Sequence, residues 1–234
     1  MGKLRILRRS ATNASGGVGR RARSLGKRCA LRGSRQTIAA GVVDPETVDK
    51  TRPTRERILR AGLHLFQAKG YHATGLTEIL ARAAAPKGSF YHHFPAGKEA
   101  LAVACVHWLS AEVARYLDGL AAVGGDARTM SRGLARRMAD GLRNPERMRG
   151  SLLAVLVQEA IPESTLIHEA LSDYAEVIRR RLVSAAPVNC DARAFAQTAL
   201  ALLQGGAVLA RLSGRPHDLE KLVEDWLSAW PDRA

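Results

Sequence analysis

The stretch "TEILARAAAPKGSFYHHF", residues 77–94, decides the fold of this chain. With the preceding Leu76, its first half has the spacing of a short helix with one apolar face, made by Leu76, Ile79, Leu80 and Ala83. Pro86 disfavours helical geometry at Ala85 and is itself a favoured residue at the start of a helix. A further helix is therefore predicted from Pro86 to about residue 93. Two short helices joined by a turn of about four residues form a helix-turn-helix arrangement.

The second of these helices has one apolar and one polar face. Phe90 and Phe94 are four residues apart, so both are expected to point inward. The outward residues are Lys87, Ser89, Tyr91 and His92, and none of them is a carboxylate. Ammonium, hydroxyl and imidazole groups reach phosphate oxygens and base edges, and Gly88 leaves room for a close approach of the backbone. The pattern predicts a recognition helix for the major groove of DNA.

The positive charge is concentrated toward the N-terminus. The 234-residue chain has a formal net charge of +14. Residues 1–43 hold eleven Lys or Arg and no acid, and residues 51–102 have eight bases against three acids. Residues 103–234 have sixteen charges of each sign. A phosphate-binding surface is therefore expected in the first half of the chain.

The first fifty residues have the composition of a basic arm. Residues 10–37 are rich in Arg, Ser, Gly and Ala, and burial of so few large apolar side chains does not offset the entropy of ordering. We predict a disordered arm over residues 1–50 that binds the DNA backbone without reading its sequence. A second interpretation is that the arm has no function, or that it is an artefact of a start site chosen too far upstream, with a valine such as Val42, Val43 or Val48 as the real start. A third is an organelle transit peptide, which has a similar composition.

Cysteine usage and hydropathy indicate a cytoplasmic protein. Cys29, Cys105 and Cys190 are widely spaced and form no C-x-x-C pair, which argues against a disulfide framework and a zinc module. The sequence has no run of eighteen apolar residues and no apolar signal-peptide segment at its start. We therefore expect no membrane association.

Helical periodicity extends through the rest of the chain, without strand signals. Thr54 as N-cap and Gly70 as C′ residue bound a first helix at about residues 55–69. After the helix-turn-helix, helices are predicted at about 98–120, 126–143, after an Asn144–Pro145 cap, at 165–185, 191–212 and from Pro216 onward. We predict an all-α fold of nine helices. It has a three-helix helix-turn-helix domain over residues 51–100 and a helical ligand-binding and dimerisation domain over residues 101–234.

The run "TRERILRAGLHLFQAKGYHATGLTEILARAAAPKGSFYHHFPAGKEAL", residues 54–101, resembles the DNA-binding domain of the TetR family of bacterial transcriptional regulators. The matching positions are Phe66, Gly70, Tyr71, Thr74, Ile79, Lys87, Gly88, Tyr91, His93, Phe94 and Lys98. The segment "PKGSFYHHFPAGKEAL" is further similar to the lincomycin-resistance-type regulators. Three positions depart from the pattern. Gly75 stands where a serine or threonine usually caps the second helix, and Ala84 and Pro86 replace the usual turn glycine and serine.

The resemblance implies which residues contact DNA. Contacts are expected from Lys87, Gly88, Ser89, Tyr91 and His92 of the third helix and from Thr77 of the second. Lys98 is expected to meet a phosphate from the start of the fourth helix, and Thr54 or Arg55 from the start of the first. A dimer would place two recognition helices about one DNA turn apart, on a palindromic operator.

The resemblance also implies that the C-terminal half binds a small hydrophobic effector and forms a homodimer. The candidate pocket residues are Trp108, Tyr116, Met130, Met138, Met148, Gln158, Phe195 and Gln204, and for any single one of them plain core packing is the favoured alternative. The candidate dimer residues, on the last two helices, are Leu202, Val208, Leu222, Trp226 and Trp230. The alternative for this apolar face is burial within one chain.

The sequence favours a regulator over an enzyme. Residues 103–234 contain no phosphate-cradling loop, no metal-ligand spacing and no defensible catalytic residue, so we expect no cofactor, no metal and no catalysis. The leading hypothesis is a ligand-responsive repressor of a nearby efflux or modification gene. The competing hypothesis is a DNA-architectural protein that binds through its arm without sequence preference, with a steep dependence on salt.

Overall fold

The computed structural model describes residues 51–143, 151–186 and 190–229. The predicted arm, the Asn144–Pro145 cap, Met148 and Trp230 lie outside these residues. Within them the chain forms only helices, as the sequence predicted, and all belong to one compact unit. The helices are α1 (Thr54–Lys69), α2 (Leu76–Ala83), α3 (Lys87–His93), α4 (Gly97–Ala122), α5 (Ala127–Arg143), α6 (Leu152–Glu159), α7 (Thr165–Ser184), α8 (Ala192–Ser213) and α9 (His217–Ala229).

The first three helices enclose a small aromatic core. Phe66 of α1, Ile79 of α2 and Phe90 of α3 are completely buried, and Phe94 beyond α3 packs on Phe90 with ring centroids 5.5 Å apart. Because α2 and α3 have eight and seven residues, neither is stable in isolation, and burial of this core holds them in place. The inward orientation predicted for Phe90 and Phe94 is confirmed.

Two helix starts differ from the predictions by one residue. Pro53 is the N-cap of α1, and Thr54 is its first helical residue, whose Oγ1 accepts a hydrogen bond from Nη2 of Arg57 at 3.2 Å. Pro86 is the N-cap of α3 and not its first residue. Both prolines have extended backbone, which suits a residue that precedes a helix and leaves no donor unpaired.

The turn between α2 and α3 is a Schellman motif closed by an alanine. Ala84 has φ 46° and ψ 48°, in the left-handed region where glycine is the usual residue. The amide of Ala85 donates to the carbonyl of Leu80 at 3.1 Å, and the amide of Ala84 donates to Ala81 at 3.2 Å. At the other end of α2, Gly75 provides no side-chain cap. Ala84 and Gly75, which both depart from the family pattern, therefore each lower the stability of a helix end.

The remaining helices form a second, larger core. α4 packs along α7, α7 along α8, and α9 covers α5 and α8. Side chains cap four of these helices: Asp126 precedes α5, Ser151 precedes α6, Ser164 precedes α7 and Asp191 precedes α8. By length and composition alone α8 could cross a membrane, but its Phe195 and Leu203 are buried between neighbouring helices, as in a core helix.

Candidate nucleic-acid interface and effector cavity

α3 presents a polar surface on a buried aromatic anchor. Lys87, Gly88 and His92 are exposed, Ser89 is half-buried, and Tyr91 retains 46% of its accessible surface. A Cβ added at Gly88 would have no heavy atom within 4 Å, so the backbone there faces open space. The outward residues predicted for this helix thus share one accessible face, which suits contact with a DNA groove.

The ring of Tyr91 is held by its neighbour. It stands perpendicular to the ring of Phe90, with centroids 5.4 Å apart. His92 makes a similar edge contact with His93 at 5.0 Å. Because Phe90 is fully buried, the phenol of Tyr91 projects from a fixed base, which lowers the entropy lost when it binds.

Three further predicted contact residues lie at the starts of α1 and α2. Thr77 at the start of α2 is exposed. Arg55 on the first turn of α1 is also exposed, and its Cζ lies 5.5 Å from the ring centroid of Phe94. Thr54 is half-buried beside Arg57. Arg55 and Lys87 therefore provide positive charge next to the polar face of α3.

Lys98 is turned toward the protein. Its ammonium donates to the carbonyls of Tyr71 at 3.1 Å and Thr74 at 3.3 Å, and lies 4.5 Å from the ring centroid of Tyr71. Thr74 is completely buried, and its hydroxyl donates to the carbonyl of Gly70 at 2.6 Å. We therefore assign Lys98 to fixing the α1–α2 loop, a role that its place in the motif did not reveal.

The same loop contacts α6, which the sequence did not predict. The amide of His72 donates to Oε2 of Glu159 at 2.9 Å, and its ring Nε2 lies 2.7 Å from the Glu159 carbonyl oxygen. Gly70 has φ 99°, which side chains rarely adopt, and a Cβ there would lie 2.5 Å from Glu159 Oε1, so the Glu159 side chain would have to move. The loop is therefore a junction that α4 holds from one side and α6 from the other.

A cavity of about 180 Å³ lies between α1 and the helices of the larger core. This far exceeds the roughly 10–15 Å³ that one water needs. Leu63 and Gln67 of α1 form part of its wall, so the cavity reaches the first helix of the DNA-binding motif. Other wall residues include Trp108, Leu109, Glu112, Arg137, Met138, Ser151, Tyr174, Leu200, Leu203 and Gln204. In the described parts of the chain, no group of three His, Cys, Asp or Glu could hold a metal.

Some of the predicted pocket residues line the cavity and others do not. Trp108, Met138 and Gln204 line it. Gln158 is exposed, and Phe195 is fully buried against Trp226, with ring centroids 4.8 Å apart. Tyr116 and Met130 also lie outside the wall: Tyr116 supports the guanidinium of Arg137, and Met130 is core. Periodicity identified residues facing inward but not which inward faces leave a gap.

Arg137 is one of the wall residues that the sequence analysis missed, and the only arginine among them. It lies three residues after Leu134 and four before Gly141, on the apolar side of α5. A single charge on that face was the available signal, because charged residues are rarely placed against a core without a partner.

The predicted dimer residues divide into two groups. Leu222 and Trp226 are half-buried and pack within the chain, Leu222 near Gly206 and Trp226 on Phe195. Leu202 is half-buried, whereas Val208 is 52% exposed. Next to Val208, α8 exposes Leu209 (58%) and Leu212 (83%). The uncovered apolar surface is thus on α8, and it extends beyond the predicted set.

Comparison with known proteins identifies related chains. Residues 58–105 match the family of bacterial regulatory proteins, tetR family. The chain is 29% identical over 161 residues to the HTH-type transcriptional regulator LmrA of Bacillus subtilis, covering 67% of this chain and 86% of that protein. It is 49% identical over 51 residues to the HTH-type transcriptional repressor NemR of Escherichia coli, covering 22% of this chain and 25% of NemR.

Solved structures extend the similarity over the larger core. Reduced NemR of E. coli superposes with a TM-score of 0.64 at 26% identity, over 74% of this chain and 95% of NemR. CifR in complex with 26-bp double-strand operator DNA superposes with a TM-score of 0.64 at 22% identity, over 76% and 97% of the two chains. CifR therefore has the same fold as this chain.

Proposed function

Because the chain belongs to the TetR family of bacterial regulatory proteins, we propose that it is a ligand-responsive repressor of a nearby efflux or modification gene. As a member of this family the protein is a DNA-binding transcriptional regulator and not an enzyme. One observation carries the proposal. The carboxylate-free face of α3 belongs to the same compact unit as a cavity whose wall includes Leu63 and Gln67 of α1.

The exposed groups of α3 have separate roles in this proposal. Lys87 and Tyr91 bind phosphates, and Arg55 adds charge from α1. Ser89 and His92 reach base edges, where a hydroxyl and an imidazole exchange hydrogen bonds with the bases. Thr77 binds the backbone from the start of α2. CifR, of the same fold, is known in complex with operator DNA, which supports a double-stranded operator as the partner.

Effector binding acts on α1 and α4 together. The guanidinium of Arg60 on α1 lies 5.4 Å from the ring centroid of Trp108, a cavity residue of α4. Gly62 lets α1 approach α4 closely, since a Cβ there would lie 2.7 Å from Cδ2 of Leu101. A ligand that moves Trp108 or Gln67 therefore displaces the DNA-binding helices. The DNA affinity lost must equal the coupling free energy between the two sites.

The operator is palindromic because the repressor acts as a homodimer. The uncovered surface of Val208, Leu209 and Leu212 on α8 supports a second copy as its occupant. A two-fold axis at this helix would present two α3 helices to successive major grooves. A cytoplasmic location follows from the DNA partner.

The test is binding of the full-length protein and of a form lacking residues 1–43 to the DNA upstream of its own gene, across a salt series. A scrambled DNA of equal composition is the control. We expect both forms to prefer the native DNA and only the slope of log K against log salt to differ. If the preference is absent and binding disappears with the arm, the protein is an architectural binder and the proposal fails.

A further inference from the structure

The cavity wall is apolar apart from six residues with polar side chains. These are Gln67, Glu112, Arg137, Ser151, Tyr174 and Gln204. Ser151 Oγ donates to Oε1 of Gln204 at 2.6 Å, so these two satisfy each other. The carboxylate of Glu112 is paired with the guanidinium of Arg115, one turn along α4. Gln67, Arg137 and Tyr174 remain, and of these Arg137 and Tyr174 are the charged donor and the phenol donor available to a ligand in the cavity.

Arg137 is half-buried and has no ion-pair partner among the residues that the structure describes. Among the described residues no carboxylate oxygen lies within 4.0 Å of its guanidinium, and its Cζ lies 4.9 Å from the ring centroid of Tyr116. Burial lowers its pKa, and Glu112 opposes this only from a longer range. Arginine nevertheless keeps its proton in proteins, so the wall carries an incompletely compensated positive charge.

Tyr174 supplies a second donor. It is 8% exposed, and its hydroxyl has no hydrogen-bond partner within the part of the chain that the structure describes. Burial raises its pKa to about 12, and the charge of Arg137 opposes that rise. The phenol is thus protonated at neutral pH, and Arg137 is near enough to act on it.

We propose that this cavity binds an amphipathic carboxylate, held at its head group by Arg137 and Tyr174. The planar guanidinium matches a carboxylate with two parallel hydrogen bonds, and the phenol donates a third. The hydrocarbon part lies along Trp108, Leu109, Leu200 and Leu203. This inference rests on the proposed function, because it names the chemical class of the effector.

The wall disfavours the other two charge classes. A cationic ligand would need a free carboxylate, and that of Glu112 is already neutralised by Arg115. A neutral apolar ligand would displace water from Arg137 without replacing its hydrogen bonds, which costs binding free energy. A carboxylate ligand replaces the hydrogen bonds of Arg137 and so avoids this loss of binding free energy.

Matched ligands test the inference by isothermal titration calorimetry on the full-length protein. Octanoate, 1-octanol and octylammonium share a chain length and differ in head-group charge. We expect octanoate to bind at least about tenfold more tightly than octanol, as a charge-assisted bidentate contact provides, and octylammonium not to bind. Equal affinity for octanol and octanoate, or no binding of hexanoate, octanoate or decanoate, overturns the proposal.

Variants assign the preference to its residues. In Arg137→Gln the octanoate affinity should fall at least about tenfold while that for octanol stays within twofold. Arg136→Gln, which changes the exposed neighbour, should leave both affinities unchanged. Arg137→Lys keeps the charge and should retain a weakened anion preference, which covers the case in which Arg137→Gln does not fold. An undiminished preference for octanoate in a folded Arg137→Gln variant overturns the assignment.

DNA binding without ligand separates this inference from the proposed function. A protein that prefers its upstream DNA but discriminates none of the three head groups remains a regulator with a different effector class. A protein that binds octanoate through Arg137 but shows no DNA sequence preference keeps its carboxylate site and loses its proposed role as a repressor.

Discussion

Ala84 occupies a backbone conformation that suits glycine better. The same Schellman motif ends α8, where Gly214 has φ 66° and ψ 16° and Arg215 donates to the carbonyl of Ala210 at 3.1 Å. An alanine in the left-handed region is strained by roughly 1–2 kcal/mol. Glycine relieves this strain but loses about 0.5–1 kcal/mol more chain entropy on folding than alanine does. The turn of the DNA-binding motif is therefore less stable than its counterpart on α8.

Reciprocal substitutions test this difference. Ala84→Gly should raise the free energy of unfolding by about 0.5 kcal/mol, and Gly214→Ala should lower it by about 1 kcal/mol. A Cβ at Gly214 would meet no heavy atom within 4 Å, so the second change isolates backbone strain. Urea midpoints at constant slope measure both effects. A destabilised Ala84→Gly variant would contradict the strain at this turn.

Lys98 and Lys87 carry the same charge in different surroundings. Lys98 bonds two carbonyls of the α1–α2 loop, whereas Lys87 is exposed on α3. Lys98→Ala should lower the free energy of unfolding by about 2 kcal/mol, since hydrogen bonds to charged groups contribute roughly 1.5–3 kcal/mol. Lys87→Ala should leave stability unchanged and reduce the salt slope of DNA binding by about one. If Lys98→Ala gives the reduced slope at full stability, Lys98 is a phosphate contact.

At the scale of the element, we propose that α3 combines positioning on the DNA backbone with base readout. Tyr91→Ala should weaken binding to all DNA sequences by a similar factor, because a phosphate contact carries no sequence information. Ser89→Ala and His92→Ala should change the ranking of operator variants, with effects of about 1–3 kcal/mol at single base pairs. Competition binding against a library of operator variants measures both. An equal loss on every sequence from all three variants would refute this division.

The contact between α6 and the α1–α2 loop is the second feature at this scale. In Glu159→Ala the amide of His72 loses its acceptor, so hydrogen exchange of the peptide covering residues 67–76 should accelerate several-fold. Glu163→Ala is the control, since its carboxylate lies 3.8 Å from His72 Nε2 and is largely exposed. Unchanged exchange in Glu159→Ala would show that the Glu159 carboxylate does not hold the loop.

At the scale of the whole molecule, the proposed homodimer is predicted to form through the exposed face of α8. Leu209→Glu places a charge on this face at a residue that is 58% exposed, so folding of one chain should be little affected. We expect sedimentation equilibrium to show the mass of a monomer, together with weaker operator binding. Val123→Glu changes an equally apolar residue, 82% exposed at the end of α4, and should leave the dimer intact. A dimeric Leu209→Glu variant places the interface elsewhere.

Local pattern was enough to determine the helices and the DNA-binding motif. The four-residue spacing of Phe90 and Phe94 specifies which side of the helix is apolar. The prolines and glycines between helices specify where the helices begin and end. The polar face of α3 followed from the same spacing. Helix ends and helix faces depend on neighbours within a few residues, so both can be predicted from a single sequence.

The tertiary structure alone decided what each inward face meets. Periodicity places both Phe195 and Trp108 on apolar faces. In the structure Phe195 packs against Trp226, whereas Trp108 lines the cavity. The contacts of Lys98 with Tyr71 and Thr74 join residues more than twenty positions apart in the chain. The direction of a long side chain and the gap left between packed helices depend on such distant partners, which the spacing of residues within a helix does not specify.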